Sequence, residues 1–312
     1  VIFHSSSISY DHLGYVASES SILDSLRRKI EANKFIHKIN SQNIINISQN
    51  VNYFFDIQCK QKKLKNMELV IKTNDLMDDI LPIIKRDKRE IDYNHDALVL
   101  NIMVDQEVSD IAYQKFSHNQ IQGLLPISNN QYNLIWSGAK NIIKDTSNLN
   151  NFELIKVLNH HLATRIGNIV KVKNKIIFPL KGFHLNSYYQ GNILSLGGAA
   201  HSIHPMAGLG LNMGIQDVFL LIKNMTLYRN NINEKFLSAF EYDCIKLNNR
   251  IYYTINFLKT FYADNIYPKN LKSLSLKIFN NTTFVKNKII EYATGINTLK
   301  KNLKEKYSYS NN

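Results

Sequence analysis

The chain has 312 residues, 44% of them hydrophobic and 11% aromatic, so it can bury a sizeable core in about two domains and falls outside the disordered class. No run reaches the about 18 uncharged apolar residues of a membrane-spanning helix, no leader pattern precedes the first strand, and Cys59 and Cys244 form no C-x-x-C pair, which points to free thiols in a reducing compartment. The formal charge of +13 comes from lysines scattered in groups near 60–65, 85–89 and 300–306 without interleaved aromatics, so nucleic acid is not an expected partner and attraction to an anionic membrane surface is the better reading.

Residues 18–32 have helical spacing, with Ile22, Leu23, Leu26 and Ile30 on one face. Strands are expected at 51–58 and 67–71, with the lysine-rich stretch between them as a hairpin turn. From about 93 to 180, alternating and hydrophobic runs predict further strands, interrupted by a helix carrying Phe152, Leu154, Ile155, Leu158 and Leu162. Trp136 belongs to the core of this region, and His160 and His161 to the surface or packing of its helix. A short strand follows at 192–196, then helices at 215–227, 233–263 and 270–290. The aromatic stretch from Tyr252 to Tyr262 reads as core rather than as a substrate channel. The tail from 301 to 312 is polar and expected to fray.

The segment from Gly197 to Val218 is different in kind. Five of the chain's twelve glycines fall between positions 197 and 214, after a hydrophobic strand and ahead of an amphipathic helix. Strand, small-residue loop and helix bring backbone close to another molecule, because a missing Cβ removes the steric barrier. Pro205 fixes the path into the loop, Gly208 and Gly210 admit an aromatic ring system, and Leu211 and Asn212 open a helix. A helix N-terminus offers unpaired N–H groups and about half a positive charge, suited to a ligand that carries negative charge. His201 and His204 have the spacing of a zinc pair, but Pro205 disrupts a helix there and no third ligand lies nearby, so no metal is expected. Asp217 reads as a cap or brace for its helix, without a catalytic role.

This segment resembles the second flavin-binding motif of the FAD-dependent aromatic-ring hydroxylases, in their ubiquinone-biosynthesis branch, roughly G-D-A-A-H-x-x-H-P-x-A-G-x-G-x-N-x-G-x-x-D-V. Gly197, Ala199, Ala200, His201, His204, Pro205, Ala207, Gly208, Gly210, Asn212, Gly214, Asp217 and Val218 fall on that pattern. The similarity extends over most of the chain: His12 to Val16 with Leu23 and Leu26, Tyr93 to Val104, Leu124 to Pro126, Leu134 to Trp136 and Phe178 to Leu180 all have counterparts in order. There are departures. Gly198 stands where the family has an aspartate that hydrogen-bonds the ribitol or ribose of FAD. Gly14 is the first glycine and Gly123 the next, so the chain is expected to start after the family's G-x-G-x-x-G element. Lys72 to Leu76 occupies the place of a G-A-D-G motif, with Asp75 as a displaced remnant, and the serines and Glu19 between 18 and 21 replace a basic residue.

The resemblance implies an α/β (α+β) fold: a partial Rossmann-like FAD-binding domain with an inserted mixed-sheet substrate domain and C-terminal helices, like p-hydroxybenzoate hydroxylase. It implies an FAD-binding part at 1–90 and 186–226, a substrate sheet at 91–185 and a helical region at 227–312. It implies FAD as cofactor, contacted by Gly197, Gly198, Ala199, His201, Pro205, Gly208, Gly210, Leu211 and Asn212, with NAD(P)H and O2 as co-substrates and no side-chain acid or base assigned. The activity it implies is hydroxylation of a polyprenylated phenol in ubiquinone biosynthesis, in the cytoplasm at the inner face of the membrane, alongside other proteins of that pathway. The alternative is a truncated, non-catalytic remnant that binds a prenyl lipid or a partner chain. A sheet without its first strand is also expected to expose an edge and apolar surface.

Overall fold

The computed structural model describes residues 1–40, 43–50, 54–74, 87–117, 119–204, 208–263 and 267–293. In chain order it contains helix α1 (Glu19–Glu31) and strands β1 (Ile44–Gln49), β2 (Phe55–Cys59), β3 (Lys63–Met67), β4 (Val70–Lys72), β5 (Lys88–Val104), β6 (Tyr113–Ser117), β7 (Gln120–Ser128) and β8 (Gln131–Ala139). Helices α2 (Lys140–Asn148) and α3 (Asn151–Ile166) follow, then strands β9 (Ile169–Leu185), β10 (Tyr189–Gln190), β11 (Ile193–Ser195) and β12 (His201–Ser202), and helices α4 (Gly210–Leu227), α5 (Glu234–Leu258), α6 (Lys269–Asn281) and α7 (Thr283–Ala293). The chain forms two compact units, Val1–Ser18 with Asp92–Leu180 and Ile255–Asn312, and Glu19–Ile91 with Lys181–Thr254.

The first unit is built on an antiparallel sheet in which β5 pairs with β8, β8 with β7 and β7 with β6. Alternation explains it: Leu98, Leu100, Ile102, Leu124, Leu134 and Trp136 share one face and are buried. They pack against Ile143 of α2 and against Leu154, Leu158, Leu162 and Ile166 of α3, which recur every four residues along one helical stripe. Each such side chain stabilises the fold by about 1.5–3 kcal/mol relative to exposure. Trp136 is core, as expected, and its indole N–H donates to the Gln120 side chain at 2.8 Å. His161 meets the edge of the Trp136 ring at 5.8 Å, so it is a packing residue. The start of α3 carries a capping box, Asn150 accepting from the Glu153 amide and the Glu153 carboxylate accepting from the Asn150 amide.

Four expectations change here. Helix α2 was not foreseen, because only Ile143 and Thr146 of its nine residues are buried. The helix expected over 233–263 ends at Leu258 and runs into a π-helical turn, Lys259–Ala263. The helix expected over 270–290 is two, α6 and α7, with the Thr282 hydroxyl turned back onto the Ile278 carbonyl at the break. The aromatic stretch from Tyr252 to Tyr262 is not core: only Ile255 within it is buried, while Tyr253 and Phe257 are exposed. Its rings pack on one another instead, Phe257 stacking on Phe261 at 5.5 Å and Phe261 meeting Tyr267 at 4.9 Å.

The second unit carries two small sheets, β1-β2-β3 and β10-β11-β4. Strand β1 was not foreseen. The lysine-rich stretch does hold a hairpin turn, at 59–62, where the Cys59 amide donates to the Lys62 carbonyl, but it also holds a strand, since Lys63 and Lys65 lie in β3. Lys63 pairs with Asp56 of β2 at 3.1 Å. Strand β11 runs parallel to β4 with Leu194 opposite Ile71. Behind them Leu185, Tyr188, Leu194, Leu196, Leu220, Phe236 and Phe240 form a core. Helix α1 is where the spacing put it, but Ile22, Leu23, Leu26 and Ile30 are all exposed. Asp75 and the 301–312 tail lie outside the described residues.

Gly167 closes α3 at φ +80° and ψ −179°, a region open essentially to glycine, and a Cβ there would sit 2.7 Å from the Asp105 carboxylate. That carboxylate cannot swing away cheaply, because it accepts from both the amide and the side chain of Asn168 at 2.8 Å. Gly167→Ala is expected to lower stability by about 1–3 kcal/mol, read as a fall in the urea midpoint with an unchanged slope.

Candidate functional site

Strand β11 delivers the chain to a 3-10 turn, Gly197–Ala199, and then to β12. Backbone bonds hold the turn in the sheet: the Leu196 amide donates to the Lys72 carbonyl at 2.8 Å, the Ala200 amide to the Gly197 carbonyl at 2.8 Å, and the Leu185 amide to the Ala200 carbonyl at 2.9 Å. Gly197 takes φ +52° and lies flush on α4, where a Cβ would approach the Gly214 Cα to 3.4 Å. Ala199 and Ala200 are buried, which leaves no room for larger side chains. On the other side the surface is open. Gly198, Gly208, Gly210, Leu211 and Asn212 are exposed, and a Cβ at Gly208 or Gly210 would meet nothing within 4 Å.

Helix α4 begins at Gly210, beside the opening read at Leu211 and Asn212 and five residues ahead of the span read from hydrophobic spacing, and no side-chain hydrogen bond caps it: Leu209 occupies the N-cap and the first turn holds no acidic residue. Among the described residues its first amides therefore have no side-chain acceptor, and they carry the positive end of the helix dipole. These are properties of a place that receives an anionic or carbonyl-rich ligand.

Beneath the turn is a continuous buried polar chain. Asp217, wholly buried in α4, accepts from the Gly197 amide at 3.0 Å and from His201 Nε2 at 2.7 Å through one oxygen, and from Asn248 Nδ2 at 3.0 Å through the other. Asn248 Nδ2 also donates to the Tyr188 hydroxyl at 3.0 Å. That hydroxyl in turn lies 3.1 Å from His184 Nε2, while His184 Nδ1 lies 2.9 Å from the Leu185 carbonyl. A carbonyl can only accept, so His184 carries its proton on Nδ1, and Nε2 takes the Tyr188 proton. Burial and the neighbouring His201 push the His184 pKa down, which keeps the ring neutral. Burial and the Asp217 charge push the Tyr188 hydroxyl and the Cys244 thiol up, so both remain protonated.

The predicted site residues thus divide. Gly198, Gly208, Gly210, Leu211 and Asn212 stand on the open side, Gly197 and Ala199 pack the turn onto α4, and the His201 ring faces inward onto Asp217. Pro205 lies outside the described residues. Sequence reasoning missed Tyr188, His184 and Asn248 altogether. Asn248 could have been found, since it falls on the same helical stripe as Phe240, Cys244 and Ile251, where an amide is out of place without a buried partner. Among the described residues no group of three or more His, Cys, Asp or Glu side chains is arranged to hold a metal ion.

Known proteins share this architecture. The chain is 23% identical over 305 residues to the 3-demethoxyubiquinol 3-hydroxylase of Escherichia coli, covering 95% of this chain and 76% of that protein. It is 26% identical over 243 residues to the mitochondrial ubiquinone biosynthesis monooxygenase COQ6 of Drosophila melanogaster, covering 66% of this chain and 51% of that one. It therefore spans about half the length of the mitochondrial relatives. Among solved structures, PqsL of Pseudomonas aeruginosa, described as a probable FAD-dependent monooxygenase, superposes with a TM-score of 0.63 at 18% identity, over 77% of this chain and 69% of that one. The flavin-dependent brominase Bmp2 superposes with a TM-score of 0.66 at 11% identity, over 93% and 75%. The fold is that of p-hydroxybenzoate hydroxylase-like flavoproteins, as the resemblance implied. A model described as an FAD-binding domain matches residues 85–251, more than half of the 312, and the chain belongs to that FAD-binding family.

Proposed function

We propose that this chain acts as a flavin-dependent monooxygenase that hydroxylates the ring of a polyprenylated phenol in ubiquinone biosynthesis, with NAD(P)H as reductant. The observation that carries the reading is the turn and helix from Gly197 to Asp217, whose open side presents glycine backbone and uncapped amides inside a matched FAD-binding region. The residues fit the group: Gly198, Gly208, Gly210, Leu211 and Asn212 offer backbone where a flat ring system needs close approach. When bound and reduced, FAD supplies activation of O2 and transfer of one oxygen atom. The chain's own part is to hold the ring system against the amides of Gly210, Leu211 and Asn212, whose dipole favours negative charge on the ring edge. None of the five open-side residues carries a side-chain acid or base.

The substrate class draws support from the names of the two relatives above and from the first unit. The sheet face opposite α2 and α3 is half-buried and mostly apolar, with Val99, Leu125 and Ile135 beside an Asn101–Asn133 amide pair at 2.9 Å. Such a face suits an isoprenoid chain with few polar groups. Access from an anionic membrane surface is supported by the charge of +13 and by α6, where Leu271, Leu274 and Ile278 are exposed on one stripe near Lys269 and Lys277. No helix among the described residues is long and apolar enough to cross a membrane.

One observation favours a second reading, a non-catalytic lipid- or partner-binding chain. Gly198 offers no carboxylate to the ribityl or ribose hydroxyls of FAD. The space for one exists: Gly198 does not take a positive φ, and a Cβ would lie 3.4 Å from the Thr73 carbonyl, an ordinary contact. Titration of the purified chain with FAD, followed by flavin fluorescence, is expected to saturate near about 1 µM; no uptake, with or without an added G-x-G-x-x-G segment from a relative, would leave the second reading standing. Gly198→Asp is expected to fold normally and to tighten FAD binding by about tenfold through one added charge-assisted contact. An unchanged dissociation constant would mean that this edge of the turn does not face the ribityl or ribose hydroxyls.

A further inference from the structure

We propose that Asp217 and His201 are positioning residues that set the geometry of the cofactor loop, an assignment that builds on the flavin reading above. Oδ2 of Asp217 receives two donors four residues apart in the chain: the Gly197 amide, where the turn begins, and His201 Nε2, just after it ends. One carboxylate thus fastens both ends of the turn to α4, the helix whose first amides form the open side. The contact between Gly197 and Gly214, one helical turn before Asp217, acts as a stop, because a Cβ at Gly214 would come within 3.3 Å of the Gly197 Cα. Pull and stop together leave the turn one position against the helix.

The remainder of the buried chain supports this clamp from behind. Asn248 gives Nδ2 to both Asp217 and Tyr188, and its Oδ1 is buried without a hydrogen-bond partner. Rotating the amide would turn that oxygen onto the carboxylate, so the ionised Asp217 fixes the orientation in which Oδ1 goes unsatisfied. Tyr188 then passes the constraint to His184, which stands opposite His201 in the β9–β12 pair, its ring stacked on His201 at 6.4 Å. The chain of contacts closes on itself. None of these side chains reaches the open side, so they act on the cofactor through the backbone of the turn.

Three variants test this. Asp217→Asn keeps the volume and removes the charge. His201→Gln keeps a donor in the place of Nε2–H, and His201→Phe keeps a ring without one. Two readouts are taken: FAD affinity by fluorescence titration, and hydrogen exchange of the 197–200 amides in the protein without FAD, alongside its melting temperature. Asp217→Asn and His201→Phe are expected to weaken FAD binding about tenfold or more and to speed exchange at Gly197, while His201→Gln stays within about threefold of the parent. Equal losses in the Gln and Phe variants would make ring packing, and not the donor, the operative feature, and would overturn the proposal. So would an Asp217→Asn protein with unchanged Gly197 exchange. Should Asp217→Asn fail to fold, the Gln and Phe pair decides. If the parent takes up no FAD, the flavin reading fails and exchange alone decides the clamp.

Discussion

A carboxylate without any exposed surface is an expensive thing to fold around. Removing an ion from water costs several kcal/mol even after the protein relaxes, and the usual repayment by one counter-ion is incomplete. Asp217 is repaid by donors instead, a backbone amide, an imidazole N–H and a side-chain amide, each hydrogen bond to the charge being worth about 1.5–3 kcal/mol. The sum comes close to balance, so what the arrangement gains is definition rather than stability. Donors from β12, from the start of the turn and from α5 must all arrive at one point, and that fixes how β11, the turn, α4 and α5 meet. The small residues follow from the same demand, since Ala199, Ala200 and Gly214 are what allow the turn close enough to α4 for the carboxylate to reach it.

The electrostatics of the second unit acquire a simple form from this. On the closed side of the turn there is a buried negative charge, and the groups around it are shifted so that they carry none: His184 is held neutral, and the Tyr188 hydroxyl and Cys244 thiol keep their protons. On the open side the α4 amides supply a preorganised field, which is positive. A ligand with a polarised carbonyl edge bound there would meet that field beside glycine backbone, with the carboxylate buried on the other side of the turn. The fold separates the charge that holds the loop from the partial charge that greets the ligand.

Much of this was legible in the residues, and the failures have physical reasons. Helix α3 announces itself through Leu154, Leu158 and Leu162, and the central strands through the alternation of Leu98, Leu100 and Ile102, because one face of each element is buried throughout. Helix α2 buries so little that its stripe is lost among Asn, Lys, Asp and Ser. In β3 the outward positions include Lys63 and Lys65, and a five-residue strand whose two apolar side chains, Leu64 and Met67, lie three apart cannot be told from a polar turn by pattern. The break between α6 and α7 carries neither proline nor glycine, so nothing in the spelling marks it. The aromatic run after Ile251 misleads in the opposite sense: aromatic side chains usually signal a core, whereas here they satisfy one another ring to ring. Within the site, the glycines and the opening of α4 were legible, but the buried chain was not, since its members come from β9, the β9–β10 connection, β12, α4 and α5 and meet only in space.

The glycines themselves separate into two kinds once the geometry is known, and the separation sharpens what their concentration means. Gly197 and Gly214 are glycine because two backbones touch, one of them with a left-handed φ. They would be needed whether or not any ligand ever bound. Gly208 and Gly210 have no such reason, since open space surrounds the place of each missing Cβ, and Gly208 alone of the two has a backbone angle, φ +61°, that favours glycine. Gly210 is therefore the residue least explained by the fold and most in need of something outside it. It is the first residue of a helix whose N-cap is Leu209, where serine or aspartate would be the stabilising choice, and a capping side chain at 209 would occupy the amides that the open side now presents. A chain selected only for stability would cap this helix, and leaving it bare makes sense where another molecule accepts from those amides.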